Sequence, residues 1–321
     1  MRFVTYATER GDRAGVLDDN QVYALPPEVQ LISLLDDPDK LQDAGERALR
    51  NPVTVQPLGS VTLRAPIPHP PTVRDFMTFE RHLEGVIKLA DPEAKVMEQY
   101  YRAPAFYFTN PYAVQGPYDD VRVFPASGLF DFELEVAAVI GRGGRNIPVD
   151  QAESHIAGYV LMNDWSARDL QFAEIGVMLG PAKAKDGATS LGPFLVTPDE
   201  LAPHREGNAF AFRMTAEVNG VVVGEDLWSN MAFSYAQMIS YASRGTEVRT
   251  GDVLGSGTCG GGCLAELWGR KGLDAHAPLS EGDTVTLTVE GLGSQTCRIL
   301  PAASYPHDDD LGAVRGLGST R

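Results

Sequence analysis

The sequence predicts an α+β fold in which strands outnumber helices. Two hairpin patterns support it: residues 215–218 and 221–223 flank an Asn-Gly pair, and residues 284–289 and 296–300 flank a Gly-containing turn. Strand and helix patterns do not alternate regularly, so a doubly wound parallel sheet is not expected. With 321 residues, the chain is long enough for one large domain or two unequal ones.

Residues 1–64 are expected to form a small β-rich N-terminal domain. Residues 3–6, 15–17 and 21–24 have the composition of short strands separated by turn residues. Leucines and alanines recur at helical spacing over residues 31–50. The Pro-rich segment 65–71 lacks several amide donors and suits a linker. Further on, Ser229 is expected to cap a helix that runs through Ala242, with Gly245 just beyond its end.

Composition excludes several classes of protein. The formal net charge of −16 repels nucleic acid and anionic lipid, so binding to either is not expected. No apolar run reaches the roughly 18 residues that span a bilayer, and the start lacks a signal peptide, so we expect a cytoplasmic location. The chain has three cysteines, an odd number, so a disulfide framework is not expected. Cys259 and Cys263 form a C-G-G-G-C segment without a matching second pair, so a zinc site is not expected either.

Two glutamates form the first candidate site. In the segment F-D-F-E-L-E-V, Glu133 and Glu135 lie two apart, and side chains two apart share one face of a strand. Adjacent carboxylates repel unless they share a proton or a cation. Oxygen ligands suit a hard ion such as Mg²⁺, Mn²⁺ or Ca²⁺. The alternative is a solvent-exposed strand edge that carries two charges.

Two further segments carry chemistry-bearing residues. In M-N-D-W-S-A-R-D-L-Q, Asp164 follows an apolar strand pattern and is either a third ligand or a helix N-cap. Arg168 and Gln171 are three apart and become neighbours if a helix begins there. Around Lys185, small residues indicate a turn that confines an ammonium group, although a solvated loop is the simpler reading.

Together these segments resemble the fumarylacetoacetate hydrolase superfamily over about residues 72–300. The resemblance is carried by motifs in the family order: Asp75-Phe76 with His82, F-E-L-E, M-N-D-W-S-A-R-D-x-Q, Lys185 with Thr189, Gly251-Asp252-Val253-Leu254 with Gly257-Thr258, and Pro278-Leu279 with Glu281-Gly282-Asp283.

The resemblance implies a mixed β-roll catalytic domain, placed here at residues 65–303, next to the small N-terminal domain, and a homodimer. The tail at 304–321 is expected to be mobile. The resemblance also implies a divalent ion, Mg²⁺ or else Mn²⁺ or Ca²⁺, on Glu133, Glu135 and Asp164. In the hydrolase subgroup an Asp joins these ligands, here Asp75, for which a turn or helix cap is the alternative.

The resemblance further assigns the catalytic roles. His82 corresponds to the general base, which takes a proton from water, and Glu266 to the carboxylate that orients it. Three side chains are expected around the substrate oxygens: Arg168, Gln171 and Lys185. Hydroxyl donors to the substrate are expected at Thr258 and Thr189. Tyr107 corresponds to a substrate-contacting aromatic, with core packing as the alternative.

Three positions depart from the family pattern. Met77 replaces a tyrosine of the hydrolase subgroup, and Gly85 occupies the place of the acylpyruvase glutamate. The arginine that follows the histidine in the hydrolase subgroup has no clear counterpart, and Lys88 is the nearest cation. The sequence therefore does not define how the far end of a substrate is bound.

The expected function is a metal-dependent hydrolase of a small keto acid. It would cleave a C–C bond of a β-diketone, an acylpyruvate or a fumarylacetoacetate-like compound through an enolate. One alternative is a decarboxylase, isomerase or hydratase of 2-oxo-enoic acids in aromatic catabolism, and another is a non-catalytic, metal-stabilised binding protein. A nucleotide enzyme is disfavoured, because Gly141-Arg142-Gly143-Gly144 is not a dinucleotide fingerprint and no P-loop is present.

Overall fold

A computed structural model describes residues 1–125 and 127–304 of the chain. The predicted tail lies outside the described residues except for residue 304. Within the described part, no helix is both long and apolar enough to cross a bilayer.

Strands make up most of the described structure. They are β1 Arg2–Thr8, β2 Gly11–Asp18, β3 Gln21–Ala24, β4 Val55–Pro57, β5 Leu63–Arg64, β6 Val73–Phe76, β7 Phe106–Thr109, β8 Val114–Gln115, β9 Val121–Arg122, β10 Phe130–Asp131, β11 Leu134–Ile140, β12 Gly144–Arg145, β13 Ile156–Asp164, β14 Ser166–Ala167, β15 Thr189–Leu191, β16 Leu195–Val196, β17 Arg205–Glu206, β18 Ala209–Phe210, β19 Arg213–Val218, β20 Val221–Leu227, β21 Glu247–Val248, β22 Val253–Gly255, β23 Thr284–Val289 and β24 Gly293–Leu300.

The helices are short and lie between the strands. The α-helices are α1 Pro38–Arg50, α2 Glu80–Ile87, α3 Val149–Ala152, α4 Arg168–Gly176, α5 Pro198–Leu201, α6 Tyr235–Ser243 and α7 Leu264–Lys271. Single 3₁₀ turns are at Leu31–Leu34, Leu58–Ser60, Glu98–Arg102, Pro111–Ala113, Glu153–His155, Lys183–Lys185, Ala202–His204, Trp228–Asn230 and Leu273–Ala275.

A large mixed sheet organises the molecule. Its strand order is β4-β3-β2-β1-β16-β13-β11-β22-β6-β7. Off this path, β5 pairs with β1, β15 with β13, and β8 with β15. Neighbours are mostly antiparallel, but β22 pairs with β6, and β15 with β8, in parallel. The predicted α+β class with mixed sheets is confirmed, and the expected absence of regular strand–helix alternation agrees with this strand order.

A second sheet packs against the first. Its order is β20-β19-β23-β24-β9. It contains both predicted hairpins, and the turn between β19 and β20 has positive φ at Asn219 (53°) and Gly220 (77°), as an Asn-Gly turn of this type requires. Buried side chains of β11, β19 and β23 belong to one hydrophobic cluster. The main core therefore lies between the two sheets.

The N-terminal strands belong to the large sheet. β1 pairs with β16, with Arg2 opposite Val196. Phe3 and Leu25 pack in one cluster with Ala137 and Val139 of β11. The strands predicted in residues 1–64 are present, and they share a sheet and a core with the rest of the chain. The domain boundary at residue 64 stays a prediction.

The predicted helix at residues 31–50 is divided in two. The 3₁₀ turn Leu31–Leu34 comes first, and α1 begins only at Pro38. A residue before proline avoids the helical conformation, and proline suits the first helical position. Asp37 therefore becomes the N-cap, and its carboxylate accepts from the Asp39 amide. A sequence pattern of apolar spacing alone did not reveal this interruption.

Candidate active site

Four buried carboxylates meet at the centre of the large sheet. Asp75 lies on β6, Glu135 on β11 and Asp164 at the end of β13, while Glu133 comes just before β11. Ligand oxygens of Asp75, Glu133 and Glu135 all lie within 4.8 Å of one another. Because Glu133 and Glu135 are only 4% and 0% exposed, the alternative of a solvent-exposed strand edge is wrong.

The expectation that both glutamates share a strand is only half right. The Glu133 amide donates to the Asn163 side-chain oxygen at 3.0 Å, and regular pairing starts at Leu134. The helix-cap alternatives also fail, because the residue at the N-cap of α2 is Phe79 and that of α4 is Ala167. Asp75 and Asp164 therefore direct their carboxylates into the cluster.

Two glycines make room for this cluster. A Cβ on Gly255 would lie 2.7 Å from Asp75 Oδ1 and 2.9 Å from Glu135 Oε2. Gly257, at φ +78°, donates its amide to the same two oxygens at 3.2 and 3.0 Å. The sequence analysis included Gly257 only as part of a motif and did not single out Gly255. Their role depends on β22 lying between β6 and β11, which only the strand order reveals.

Lys185 and Tyr107 contact the carboxylates of the cluster. Lys185 is 1% exposed, so the solvated-loop reading is wrong. Its Nζ contacts Glu133 Oε2 at 2.5 Å and Asp164 Oδ2 at 3.0 Å. The Tyr107 hydroxyl is within hydrogen-bond distance of Asp75, at 2.6 Å, and of Asp164. Since a phenol has one proton to donate, both contacts are satisfied only when one carboxyl is protonated.

Arg168 and Gln171 lie beside the cluster, as predicted from their spacing. Arg168 NH1 donates to Glu133 Oε1 at 2.7 Å and to Gln171 Oε1 at 3.0 Å. Its Nε donates to Asp131 at 2.8 Å. Sequence reasoning missed Asp131. The available signal was its place in D-F-E-L-E, two residues before Glu133.

The cluster perturbs the acidity of its own members. Burial, reinforced by the charge of Asp75, raises the pKa of Glu135 well above its usual range. Burial also raises the pKa of Asp164 to about 7 despite the nearby Lys185. For Glu133, burial acts in the same direction, but Lys185 and Arg168 outweigh it and lower the pKa to about 2. The site therefore contains more carboxylate than its own cations neutralise.

The donor set fits a divalent cation. Five carboxyl groups (Asp75, Asp131, Glu133, Glu135 and Asp164) face two cations, Arg168 and Lys185, which leaves three excess negative charges when all are ionised. Oε1 of Glu135 and Oδ1 of Asp164 are buried without a hydrogen-bond partner among the described residues. Buried unpartnered carboxylate oxygens call for a proton or an ion, and all-oxygen ligands suit Mg²⁺, Mn²⁺ or Ca²⁺.

His82 and Glu266 form a second buried group. His82 Nδ1 lies 2.9 Å from Glu266 Oε1, and the Gly261 amide holds both oxygens of Glu266 at 2.9 and 2.8 Å. A carboxylate at Nδ1 favours the tautomer that carries its proton there, which leaves Nε2 free to accept one. His82 is near enough to Glu133 to influence its pKa, so the two groups belong to one site.

Close helix packing creates this pair and explains one departure from the family pattern. A Cβ on Gly269 of α7 would lie 2.1 Å from the Gly85 carbonyl oxygen of α2. A Cβ on Gly85 would lie 2.9 Å from Glu266 Cγ. A glutamate at position 85 would therefore collide with the Glu266 side chain, so this chain has no room for the acylpyruvase residue.

The remaining predicted residues surround the same region. The Thr189 hydroxyl, opposite Asp164 across β13 and β15, is buried without a partner in the described part of the chain. Thr258 is buried in the loop after Gly257. Cys263 Sγ lies 3.8 Å from His82 Nδ1, a contact that the sequence did not indicate. Met77 is half-exposed, and Lys88 pairs with Glu84 at 3.1 Å.

Comparison with known proteins finds similarity over most of the chain. The family described as fumarylacetoacetate (FAA) hydrolase, C-terminal, matches residues 72–300. An oxaloacetate tautomerase, FAHD2A, mitochondrial, of Bos taurus is 29% identical over 289 residues, covering 89% of this chain and 84% of its own. The fumarylacetoacetase fahA of Aspergillus fumigatus is 30% identical over 313 residues, covering 77% and 72%.

A solved structure shares the fold. A fumarylacetoacetate hydrolase from Exiguobacterium antarcticum superposes with a TM-score of 0.73 at 22% identity, covering 94% of this chain and 99% of that one. Because the family match spans most of the chain and includes every candidate site residue, it covers both the carboxylate cluster and the His82–Glu266 pair.

Proposed function

The chain belongs to the fumarylacetoacetate hydrolase family, and from that premise we propose that it is a divalent-metal-dependent hydrolase that cleaves a C–C bond of a small keto acid. The substrate class is a β-diketone, an acylpyruvate or a fumarylacetoacetate-like compound. The observation that supports the proposal is the buried His82–Glu266 pair beside a cluster of carboxylates with excess negative charge.

The His82–Glu266 pair supports attack by water on the substrate. With Nδ1 directed at Glu266, His82 Nε2 takes a proton from water, and Glu266 stabilises the imidazolium that forms. The hydroxide adds to a substrate carbonyl carbon, the adjacent C–C bond breaks, and its electron pair leaves as an enolate. His82 returns the proton to the enolate carbon. The products are a carboxylic acid and a smaller keto compound.

The carboxylate cluster would hold the ion. We assign Glu133, Glu135, Asp164 and Asp75 as ligands, and Mg²⁺, Mn²⁺ or Ca²⁺ as the ion that these oxygens suit. When bound, such an ion acts as a Lewis acid toward the enolate oxygens. Arg168, Gln171 and Lys185 supply donors to the developing negative charge, and one well-placed donor contributes roughly 3 kcal/mol. Thr189, Thr258 and Tyr107 are proposed to contact the substrate.

A second candidate is an isomerase or tautomerase on the same scaffold. The oxaloacetate tautomerase relative supports it, since its similarity extends over 89% of this chain. Keto–enol exchange moves a proton between carbon and oxygen without attack by water. It therefore needs the enolate-stabilising groups but does not need His82 to activate water. The family resemblance also predicts a homodimer and a place in aromatic catabolism, and the sequence pattern predicts a cytoplasmic location. All three stay predictions.

The two candidates are separated by a His82→Asn variant. Loss of diketone absorbance reports hydrolysis of acylpyruvates and fumarylacetoacetate, and loss of enol absorbance reports tautomerisation of oxaloacetate, both at saturating Mg²⁺. We expect the wild type to hydrolyse a diketone and the variant to lose about 10²- to 10⁴-fold, the usual contribution of a general base.

A matched control is His155→Asn. His155 is also buried, but its Nδ1 contacts the Arg142 carbonyl oxygen, outside the site. This variant should retain the hydrolytic rate. Tautomerisation that persists in His82→Asn, together with no hydrolysis of any diketone by the wild type, would establish the second candidate instead.

A further inference from the structure

Asp131 lies at the junction of the two parts of the site. The side chain is fully buried, and its carboxylate has contacts on two sides. On one side, Oδ1 accepts from the Leu264 amide at 2.8 Å and Oδ2 from the Ala265 amide at 3.0 Å. On the other side, Oδ2 accepts from Arg168 Nε at 2.8 Å. One carboxylate therefore joins the start of α7 to the Arg168 side chain.

Each of these contacts leads to a different part of the proposed machinery. Arg168 donates to Glu133, a proposed metal ligand, at 2.7 Å. Helix α7 carries Glu266 directly after Ala265, and Glu266 holds His82 at 2.9 Å. A displacement of Asp131 would therefore move both the proposed metal ligand Glu133 and the His82–Glu266 pair.

Asp131 supplies the hydrogen-bond acceptors at the start of α7. Within the described structure, the helix's own N-cap residue, Cys263, makes no side-chain capping hydrogen bond. The first two amides of α7 are instead satisfied by a carboxylate from β10, far away in the sequence. A helix start needs acceptors for its free amides and favours a negative charge there. The placement of Glu266 is thus fixed from outside its own helix.

We infer that Asp131 is a positioning residue that sets the geometry of the metal-ligand side and the His82–Glu266 side together. It acts through Arg168 and through α7, and nothing in its contacts requires it to touch the substrate. The expected effect on turnover rests on the proposed function. The structural coupling between Arg168 and α7 does not, and it can be measured separately.

The turnover test uses Asp131→Asn, Glu266→Gln and the double variant. Asparagine preserves the size of the side chain but presents an NH₂ group to neighbours that are all donors. We expect kcat to fall about 10²-fold, the scale seen when catalytic groups are misplaced by about 1 Å. Mg²⁺ affinity, measured by calorimetry, should change less, because Lys185 also holds Glu133.

The double variant distinguishes positioning from general destabilisation. If Asp131 acts through Glu266, the two losses in kcat overlap, and Asp131→Asn/Glu266→Gln is little slower than the slower single variant. Fully additive losses would mean that Asp131 does not act through Glu266, and they would overturn the inference. Thermal melting of each variant shows whether the folded state persists at the assay temperature.

Hydrogen exchange tests the coupling without any substrate. The described hydrogen bonds of the Arg168 side chain go to Asp131, Glu133 and Gln171, and none goes to α7. Even so, Arg168→Lys should accelerate exchange at the Leu264 and Ala265 amides about fivefold, the scale of one hydrogen bond. Asp283→Asn is the control, since Asp283 accepts the Ser280 amide at 2.8 Å in a turn outside the site, and it should leave those amides unchanged.

The two readouts separate the possible failures. A wild type that turns over no keto acid, with faster exchange at Leu264 and Ala265 in Arg168→Lys, rejects the proposed function and retains the coupling. Unchanged exchange at both amides in Arg168→Lys rejects the inference, whatever the wild-type activity.

Discussion

At the scale of single residues, the carboxylate cluster depends on a side chain that is absent. Gly255 allows Asp75 and Glu135 to approach each other, since a Cβ there would lie 2.7 and 2.9 Å from their oxygens. Both oxygens also accept from the Gly257 amide, so neither can move away without losing a hydrogen bond.

We predict that Gly255→Ala weakens binding of the divalent ion. The added methyl group displaces the two carboxylates, and a loss of at least about 1.4 kcal/mol, a tenfold increase in Kd, is expected. Titration calorimetry with Mg²⁺ or Mn²⁺ measures it. Gly59→Ala is the control, because a Cβ at that position meets no atom of the described residues within 4 Å. Equal affinity in both variants would show that the ion does not use these oxygens.

The same carboxylates predict opposite pH dependences for the metal-free and metal-bound protein. Burial raises the pKa of Asp164 from 3.8 to about 7. Between those values the metal-free native state binds more protons at this group than the unfolded state does. Its contribution to the free energy of unfolding therefore increases as the pH falls from about 7 toward 4. Metal binding requires the ionised form, so affinity decreases over the same range.

Calorimetry and thermal melting check this prediction. Between pH 7.5 and 6, the melting temperature without metal should rise or hold, and the increase produced by Mg²⁺ should shrink. Titrations in buffers of different ionisation enthalpy should show proton release on binding. An increase in Mg²⁺ affinity at pH 6, or no proton release, would contradict the assignment of Asp164 as a ligand.

Residue types in a motif were predictable, but their partners were not. The proximity of Arg168 to Gln171 and of Glu133 to Glu135 could be inferred from spacing. The confinement of Lys185 could not, since its segment taken alone favoured a solvated loop. Asp131 could be noticed in the same motif, but its contacts could not be inferred, since its partners lie 37 and 133 residues away. Such contacts are decided by which strands become neighbours, and local spacing carries no information on that.

At the scale of elements, helix starts were the least predictable feature. Ser229 was expected to cap the helix through Ala242, but α6 starts at Tyr235. Ser234 is the cap, and its amide donates to the Gln237 side-chain oxygen at 2.8 Å. Ser229 instead lies in a 3₁₀ turn after β20. Both serines precede apolar residues, and only the glutamine three positions later distinguishes the true cap.

The contact between α2 and α7 gives a prediction that affects the His82–Glu266 pair and leaves the carboxylate cluster unchanged. Gly269→Ala would place a methyl group 2.1 Å from the Gly85 carbonyl oxygen and push the helices apart. The His82–Glu266 hydrogen bond should lengthen. We expect kcat to fall more than about tenfold, and overpacking to cost about 1–3 kcal/mol of stability.

Steady-state kinetics and Mg²⁺ calorimetry on Gly269→Ala check this. Mg²⁺ affinity should stay close to that of the wild type, because the proposed ligands lie on β6, β11 and β13 and the segment before β11. Gly176→Ala is the control, since a Cβ there meets no atom within 4 Å in the part of the chain that the structure describes. An unchanged kcat would show that the histidine and the glutamate need not be held at hydrogen-bond distance.

At the scale of the whole molecule, the mixed sheets could be anticipated from hairpin patterns, but their joining could not. Residues 1–64 resemble an independent unit in sequence, with a Pro-rich segment after them. In the structure, β1 pairs with β16, and the apolar cluster behind it includes residues of β11 and β13. A Pro-rich segment shows where the chain bends. It does not show whether the segments on its two sides share a core.

The sheet and core that residues 1–64 share with the rest of the chain predict a single unfolding transition. Residues 1–64 and the strands that carry the carboxylates lose their common core together, so differential scanning calorimetry should give one peak with equal calorimetric and van't Hoff enthalpies. Mg²⁺ should move the whole peak upward. Two peaks, of which only one responds to Mg²⁺, would show that the segments melt independently.

The continuity of the large sheet, from β4 at one end of its strand order to β7 at the other, also limits how this protein can be re-engineered. Exchanging its first sixty-odd residues for those of a relative would replace half of the cluster behind β11 and the strand beside β16. A chimaera made at the proline-rich bend would need its new interior fitted to Ala137, Val139 and Leu195 before it regained catalysis. The opening segment is thus better treated as a part of the scaffold than as an exchangeable module.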